Sequence, residues 1–169
     1  MIKLINGRGQ LGEALKNKVA NVKVNEDIYI YHTWNIDDKS KQTQEKEYQK
    51  FINFVKKNTN EKIVFISTSL QKDNWYTYFK QLAEAFLLMN NKNPVIIRFP
   101  SLIGKGIYSA FKKSNLSPYG SIELMSIKEA VNIILEKSLR NDKIKNHHIS
   151  GETVSAKNIQ QLILFGKNS

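Results

Sequence analysis

Tyr76 and Lys80 stand four residues apart in the stretch Asn74-Trp75-Tyr76-Thr77-Tyr78-Phe79-Lys80-Gln81-Leu82-Ala83-Glu84. On a helix, that spacing puts a phenol and an ammonium on one face, within reach of a shared ligand. A nearby cation is expected to lower the phenol's pKa and to suit Tyr76 for donating or accepting a proton. The same spacing also describes a half-buried ring beside a solvated lysine, so the elements around the pair have to decide between the two readings.

The second stretch with chemistry in it is Gly7-Arg8-Gly9-Gln10-Leu11-Gly12. It follows a short apolar strand, Ile2 to Asn6, and opens a helix through Glu13-Ala14-Leu15-Lys16-Asn17-Lys18-Val19. Glycines let a backbone approach a pyrophosphate closely, and a helix N-terminus offers oriented N–H groups. An ordinary glycine-rich strand-to-helix turn is the competing reading.

The rest of the chain alternates. Val22-Lys23-Val24 and Ile28 to His32 both have strand character, but too few residues separate them for a crossover helix. Val22 to Val24 is therefore read as an extended connector or an irregular edge. Glu26 and Asp27 lie about 20 residues past the glycines, where a dinucleotide site places its ribose-binding acid; the reading preferred here is that they begin the Ile28 strand. Tyr48, Phe51, Ile52 and Val55 mark one helix face. Lys62 to Ile66 is a buried strand ending in Ser67-Thr68-Ser69, and the Tyr76 helix runs to about Met89. Val95 to Phe99 is a strand closed by Pro100, followed by a loop from Ser101 to Gly106. A short helix is predicted from Tyr108 to Lys113 and a turn from Pro118 to Gly120. Ser126 caps a helix to about Leu139, with Glu129 in capping-box spacing. Asn146 to Ser150 is a last strand, and Ser155 caps a final helix from Asn158 to Leu164. Strand and helix alternation predicts an α/β domain over 1–169 with a mainly parallel sheet.

Composition narrows the function. A chain of 169 residues, 41% hydrophobic and 24% charged, can bury one core. No apolar run approaches the roughly 20 residues of a membrane span, and the apolar start is too short for a secretory signal. With no cysteine, disulfides and thiol chemistry are excluded. A cytoplasmic location without membrane association is expected. The net charge of +11 favours anionic partners. The lysines are scattered rather than clustered, which argues against nucleic acid. Adjacent His147 and His148 would face opposite ways on a strand, so no metal is expected. His32, at a strand end, lines the cleft or is a satisfied polar residue. Trp34 and Trp75 are read as core or cleft wall. The apolar faces of the last two helices could pair with a second copy to give a homodimer.

In order along the chain, these pieces resemble the extended short-chain dehydrogenase/reductase family of NAD(P)-dependent sugar-nucleotide epimerases, dehydratases and reductases. Gly9-Gln10-Leu11-Gly12 resembles the glycine turn of its dTDP-4-dehydrorhamnose reductase branch, and Asp27 to His32 its "D-x-V-I-H" strand. Ile66-Ser67-Thr68 resembles the strand end with the catalytic Ser or Thr, and Tyr76-x-x-x-Lys80 with Ala83-Glu84 its Y-x-x-x-K helix. Ile97-Arg98-Phe99-Pro100, Ile103-Gly104 and Ile149-Ser150-Gly151-Glu152 resemble later motifs. The resemblance implies a Rossmann-like fold with helices on both faces of the sheet. It implies NAD or NADP as cofactor, a nucleotide-sugar or other small anionic substrate, and a place in polysaccharide biosynthesis. Tyr76 would be the acid/base, and Lys80 would lower its pKa and hold the nicotinamide ribose. Thr68, with Ser67 or Ser69 as alternative, would hydrogen-bond the reacting oxygen. Gly7, Arg8, Gly9, Gln10, Leu11, Gly12, His32, Lys80 and Pro100 would bind cofactor. The chain departs from the family in several ways, including a short loop from Thr68 to Tyr76 and a cut-down C-terminal substrate lobe. Strands 2–3 of the usual fold, which build the adenosine side, are largely missing between the glycine turn and Asp27, and Asn6 stands where the first glycine belongs. A non-catalytic relative, kept as a binding or scaffold subunit, is the alternative.

Overall fold

The computed structural model describes residues 1–5, 7, 9–70, 73–103, 120–141, 145–155 and 157–159. Arg8, Gly104, the 108–113 helix and most of the predicted 158–164 helix lie outside them. β1 (Ile2–Ile5), β2 (Ile28–Tyr31), β3 (Lys62–Thr68), β4 (Asn93–Phe99) and β7 (Asn146–His148) form one parallel sheet in the order β1-β2-β3-β4-β7. This is the α/β arrangement with a parallel sheet expected from the alternation, and it is Rossmann-like as the resemblance implies. β3 alternates its side chains between two cores. Val64 and Ile66 join Leu15 of α1 (Gly9–Val19) and Ala130, Val131 and Ile134 of α4 (Ile127–Leu139). Ile63 and Phe65 join Phe51 and Val55 of α2 (Lys41–Lys57) and Phe79, Ala83 and Leu87 of α3 (Trp75–Asn90). Successive strand residues face opposite ways, so the helices cover both faces of the sheet.

Ser126 caps its helix as the sequence suggests, accepting from the Glu129 N–H. Ser40 and Asn74, not named as caps from the sequence, accept in the same way from the backbone N–H groups of Thr43 and Thr77, each satisfying an otherwise orphaned donor. Val22 to Val24 is a connector without strand pairing, and both valines pack on the α1 side of the sheet.

The sequence did not foretell a second sheet. The expected loop after Pro100 begins instead with β5 (Ser101–Ile103), which pairs in parallel with β6 (Ser121–Ser126); β6 pairs antiparallel with β8 (Glu152–Ser155). β5 is three residues long and follows a proline, too short for any periodicity to register.

The topology carries the mark of the missing strands. The steps β1 to β2 and β2 to β3 go the same way across the sheet, yet α1 packs on one face and α2 on the other. Two crossovers that step the same way over opposite faces have opposite hands. The β3–α3–β4 unit repeats the α2 arrangement. Right-handed crossovers account for about 98% of simple units of this kind; with β2–α2–β3 and β3–α3–β4 taken as such, β1–α1–β2 is left-handed, as is the longer β4-to-β7 connection, whose α4 lies on the α1 face. α1 lies on the face from which it would lead, right-handed, to a strand on the far side of β1. No such strand is found among the described residues, where β1 is the sheet edge.

Candidate functional site

The carboxyl ends of the parallel strands gather most of the expected site residues along one rim. The glycine turn leaves β1, His32 leaves β2, Thr68 ends β3 and Pro100 follows β4. Tyr76 lies in the first turn of α3, just beyond β3. Ligands of open α/β sheets bind at this end of the strands. Thr33 ties β2 to β1 there, its hydroxyl donating to the Ile5 carbonyl at 2.7 Å.

The turn itself has the backbone that the glycines predict. Gly9 sits at φ 73° with open space where a side chain would stand. That conformation suits glycine, and the open space leaves the backbone approachable. Gly12 allows α1 to pack tightly. A Cβ there would lie 2.6 Å from the Gly7 carbonyl carbon, 2.9 Å from its oxygen and 2.9 Å from Cε1 of His32. Gly12→Ala is therefore expected to cost about 1–3 kcal/mol, the usual penalty of overpacking. Urea unfolding measures it, with exposed Glu13→Ala as control; an unchanged midpoint for Gly12→Ala would refute this close contact. Gln10 is half-buried, and half-buried Leu11 packs into the α1-side core.

Lys80 is 3% exposed. Its Nζ donates to the Ile66 carbonyl at 2.6 Å. The ammonium lies 4.6 Å from the Phe65 ring centroid, 5.0 Å from Trp34 and 5.9 Å from Tyr76. Burial pushes Lys80 down to about 7, against the opposing pull of Glu84 and Glu47. Trp34 is fixed over this pocket by its Nε1, which donates to Oε1 of fully buried Gln44 at 2.7 Å. Gln44 in turn donates to the carbonyls of Asn35 and Asp38. No spacing in the sequence pointed to Gln44, whose partners come from an irregular loop.

Tyr76 does not behave as the helix spacing suggested. Burial raises its phenol to about 12, where the sequence predicted a lowered value. The lysine meant to lower it is itself drawn toward neutrality by the same apolar surroundings.

His32 joins the two halves of the rim. Its ring meets Gly12 on one side, and burial, helped by the charges of Lys80 and Lys16, lowers its pKa. Its Nε2 is buried and has no hydrogen-bond partner among the described residues; the same holds for Oγ of Ser67. Strand alternation gives Ser67 the parity of Phe65, on the Lys80 side of the sheet, and Thr68 the parity of Ile66, on the other. Thr68 Oγ1 accepts from the Leu70 N–H at 3.1 Å, and Ser69 Oγ donates to the Phe99 carbonyl at 3.1 Å. Of the three hydroxyls, Ser67 is thus the uncommitted one on the Lys80 side. Pro100 is buried, at the far end of the rim. Behind the rim, buried Glu84 receives two bonds from Nε of Arg98 at 3.1 and 3.0 Å and one from its Nη2, pinning α3 to β4.

The two acids that might have held a ribose are elsewhere. Asp27 pairs with Lys3 at 2.6 Å and with the terminal amine at 3.1 Å. Glu26 lies 3.7 Å from Lys62. Both sit at the amino end of β2, across the sheet from the glycine turn. As a test of fit to a dinucleotide, the open space at Gly9 leaves the turn's backbone approachable, while no strand among the described residues flanks β1 on the adenosine side.

The sequence matches no family model and no curated protein. Solved structures do match. The enzyme WbmG of Bordetella bronchiseptica, in complex with NAD and UDP, superposes with a TM-score of 0.70 at 14% identity, over 99% of this chain and 78% of its own. A dTDP-4-dehydrorhamnose reductase from Clostridium acetobutylicum gives 0.72 at 14%, over 99% and 80%. A UDP-N-acetylglucosamine 4-epimerase from Methanobrevibacter ruminantium, bound to UDP-N-acetylmuramic acid, gives 0.70 at 11%, over 99% and 82%. The chain thus has the fold of the NAD-binding sugar-nucleotide epimerases and reductases, in shortened form. No helix among the described residues is long and apolar enough to cross a membrane.

Proposed function

We propose that the protein is an NAD(P)-dependent reductase or epimerase of a nucleotide-linked sugar, working at the rim formed by the glycine turn, His32, Ser67, Tyr76 and Lys80. The observation that carries this reading is Lys80, a lysine buried among Trp34, Phe65 and Tyr76 at the ligand-binding end of the sheet. A strongly perturbed, buried titratable group at such a rim is a mark of function. When bound, a nicotinamide would supply or take the hydride. Tyr76, protonated at neutral pH, donates its proton to a sugar carbonyl oxygen as the carbonyl carbon gains hydride, and takes it back in the reverse direction. Thr68 or Ser67 hydrogen-bonds that oxygen. Gly9 and Gly12 let the turn close on phosphate, with Gly7, Arg8, Gln10 and Leu11 completing it. The neighbours' bound NAD, UDP and nucleotide-sugar support this choice of ligands. A cytoplasmic role in making polysaccharide precursors fits the same reading.

The sheet edge at β1 favours a second reading, a relative that keeps the fold for binding and has lost turnover. A thermal-shift titration with NAD⁺, NADH, NADP⁺ and NADPH separates the two. A ligand at 100 times its dissociation constant adds about 2.7 kcal/mol of stability. A rise in melting temperature with one redox pair is expected. No rise with any of the four would refute the oxidoreductase reading and leave the binding subunit.

A further inference from the structure

We propose that a cleft at the amino end of the sheet is a binding site for a small phosphomonoester. The cleft lies where β2, β3, β4 and β7 begin and α4 ends, and has a volume of about 320 Å³. That is the lower end of the range for small-molecule sites. β3 runs from Lys62 here to Thr68 at the opposite rim, about 20 Å of strand. The cleft is therefore separate from the glycine turn, Tyr76 and Lys80.

Three cations line it, Lys62, Arg140 and Lys145, against one carboxylate, Glu26. Lys62 is the buried one, at 5% exposure. Its Nζ donates to the Arg140 carbonyl at 2.7 Å and to Oδ1 of Asn141 at 3.3 Å. The first bond closes the end of α4, where a cation is favoured. Both acceptors are neutral, however. The Glu26 carboxylate lies 3.7 Å away and is 45% exposed, beyond hydrogen-bond distance. Among the described residues the buried ammonium thus has no charged hydrogen-bond partner, although buried charges are ordinarily paired. It keeps a third N–H for an anion. Arg140 is 55% exposed and pairs through Nη2 with Glu136 at 2.8 Å, which leaves most of its five donors to a ligand. Lys145 is exposed and makes no ion pair among the described residues.

The charge selects the ligand. Three cations against one carboxylate leave +2 on the lining side chains. A carboxylate ligand answers half of that. A phosphomonoester carries about −1.5 to −2 at pH 7 and offers three strong acceptor oxygens, enough for Lys62, Arg140 and Lys145 together. Asn141, its Oδ1 held by Lys62, turns its Nδ2 outward to donate as well. Glu26 and Asn93 remain for hydroxyls on the body of the ester, since a carboxylate accepts from a hydroxyl and repels a second phosphate. A bound ester would tie the end of α4 to the starts of β3 and β7.

Calorimetry on the full chain at constant ionic strength tests the site, with glycerol 3-phosphate, inorganic phosphate and acetate as probes. Both phosphates are expected to bind, and acetate at least about tenfold more weakly, because it brings half the charge. Arg140→Ala and Lys145→Ala together should weaken glycerol 3-phosphate by more than about tenfold. Both side chains are exposed, so circular dichroism should show the fold unchanged. A wild type that binds neither phosphate overturns the proposal, as does acetate binding equally well. A double variant that binds like the wild type overturns it too, and moves the phosphate to another surface.

Discussion

Lys80→Met is expected to stabilise the protein at neutral and acid pH by an amount on the order of a few kcal/mol, and to flatten its stability profile above neutrality. The lysine is buried, and its amine falls from the ordinary 10.5 to about 7 in the folded chain. Below about pH 7 the native state must hold a full ammonium among Trp34, Phe65 and Tyr76, so the cost is fully present. Between about 7 and 10.5 the unfolded chain binds a proton that the native chain does not. Stability then rises with pH. Above 10.5 the lysine is neutral in both states and contributes no slope. Methionine fills a similar volume and has no charge to desolvate, and such replacements of buried charge are often stabilising by about 1–4 kcal/mol. Urea unfolding at pH 6 and pH 9 reads the effect directly. Wild type should gain stability between the two, and Lys80→Met should gain much less. Parallel behaviour of the two proteins would show that another group governs the slope.

Much of this arrangement was legible in the sequence because it is local. Gly9 and Gly12 advertise a turn that only glycine makes, and Ser126 with Glu129 marks one helix start. Four-residue spacing put Tyr76 and Lys80 on one helix in advance. Their protonation could not be read the same way. The helix brings the two together, but the pKa of each is set by burial against Trp34 and Phe65, which come from other strands and loops. The hand of the β1–α1–β2 crossover was equally hidden. It depends on which face Leu15 finds for its core, a property of the whole sheet. β5 escaped notice because it is three residues long and its partner, β6, lies well along the chain. Ser67 and Thr68 are adjacent in sequence, and only the register of β3 assigns them to opposite faces.

Tyr76→Phe separates the enzyme from the binding subunit. The substitution removes one oxygen from a half-buried ring and leaves the packing in place. The phenol has no hydrogen bond to another described residue, so stability should change little. Turnover depends on that oxygen if Tyr76 is the acid, because burial holds it protonated to about pH 12 and ready to give its proton to a carbonyl. Loss of a positioned general acid lowers rates by about 10²- to 10⁴-fold. With a nucleotide-linked 4-keto sugar and NADH or NADPH, kcat should fall by that factor while cofactor affinity, measured by calorimetry, stays near the wild-type value. Binding and catalysis would then be assigned to different atoms of the same rim. Equal rates in the two proteins would remove Tyr76 from the chemistry and leave Lys80 its ribose-binding role alone.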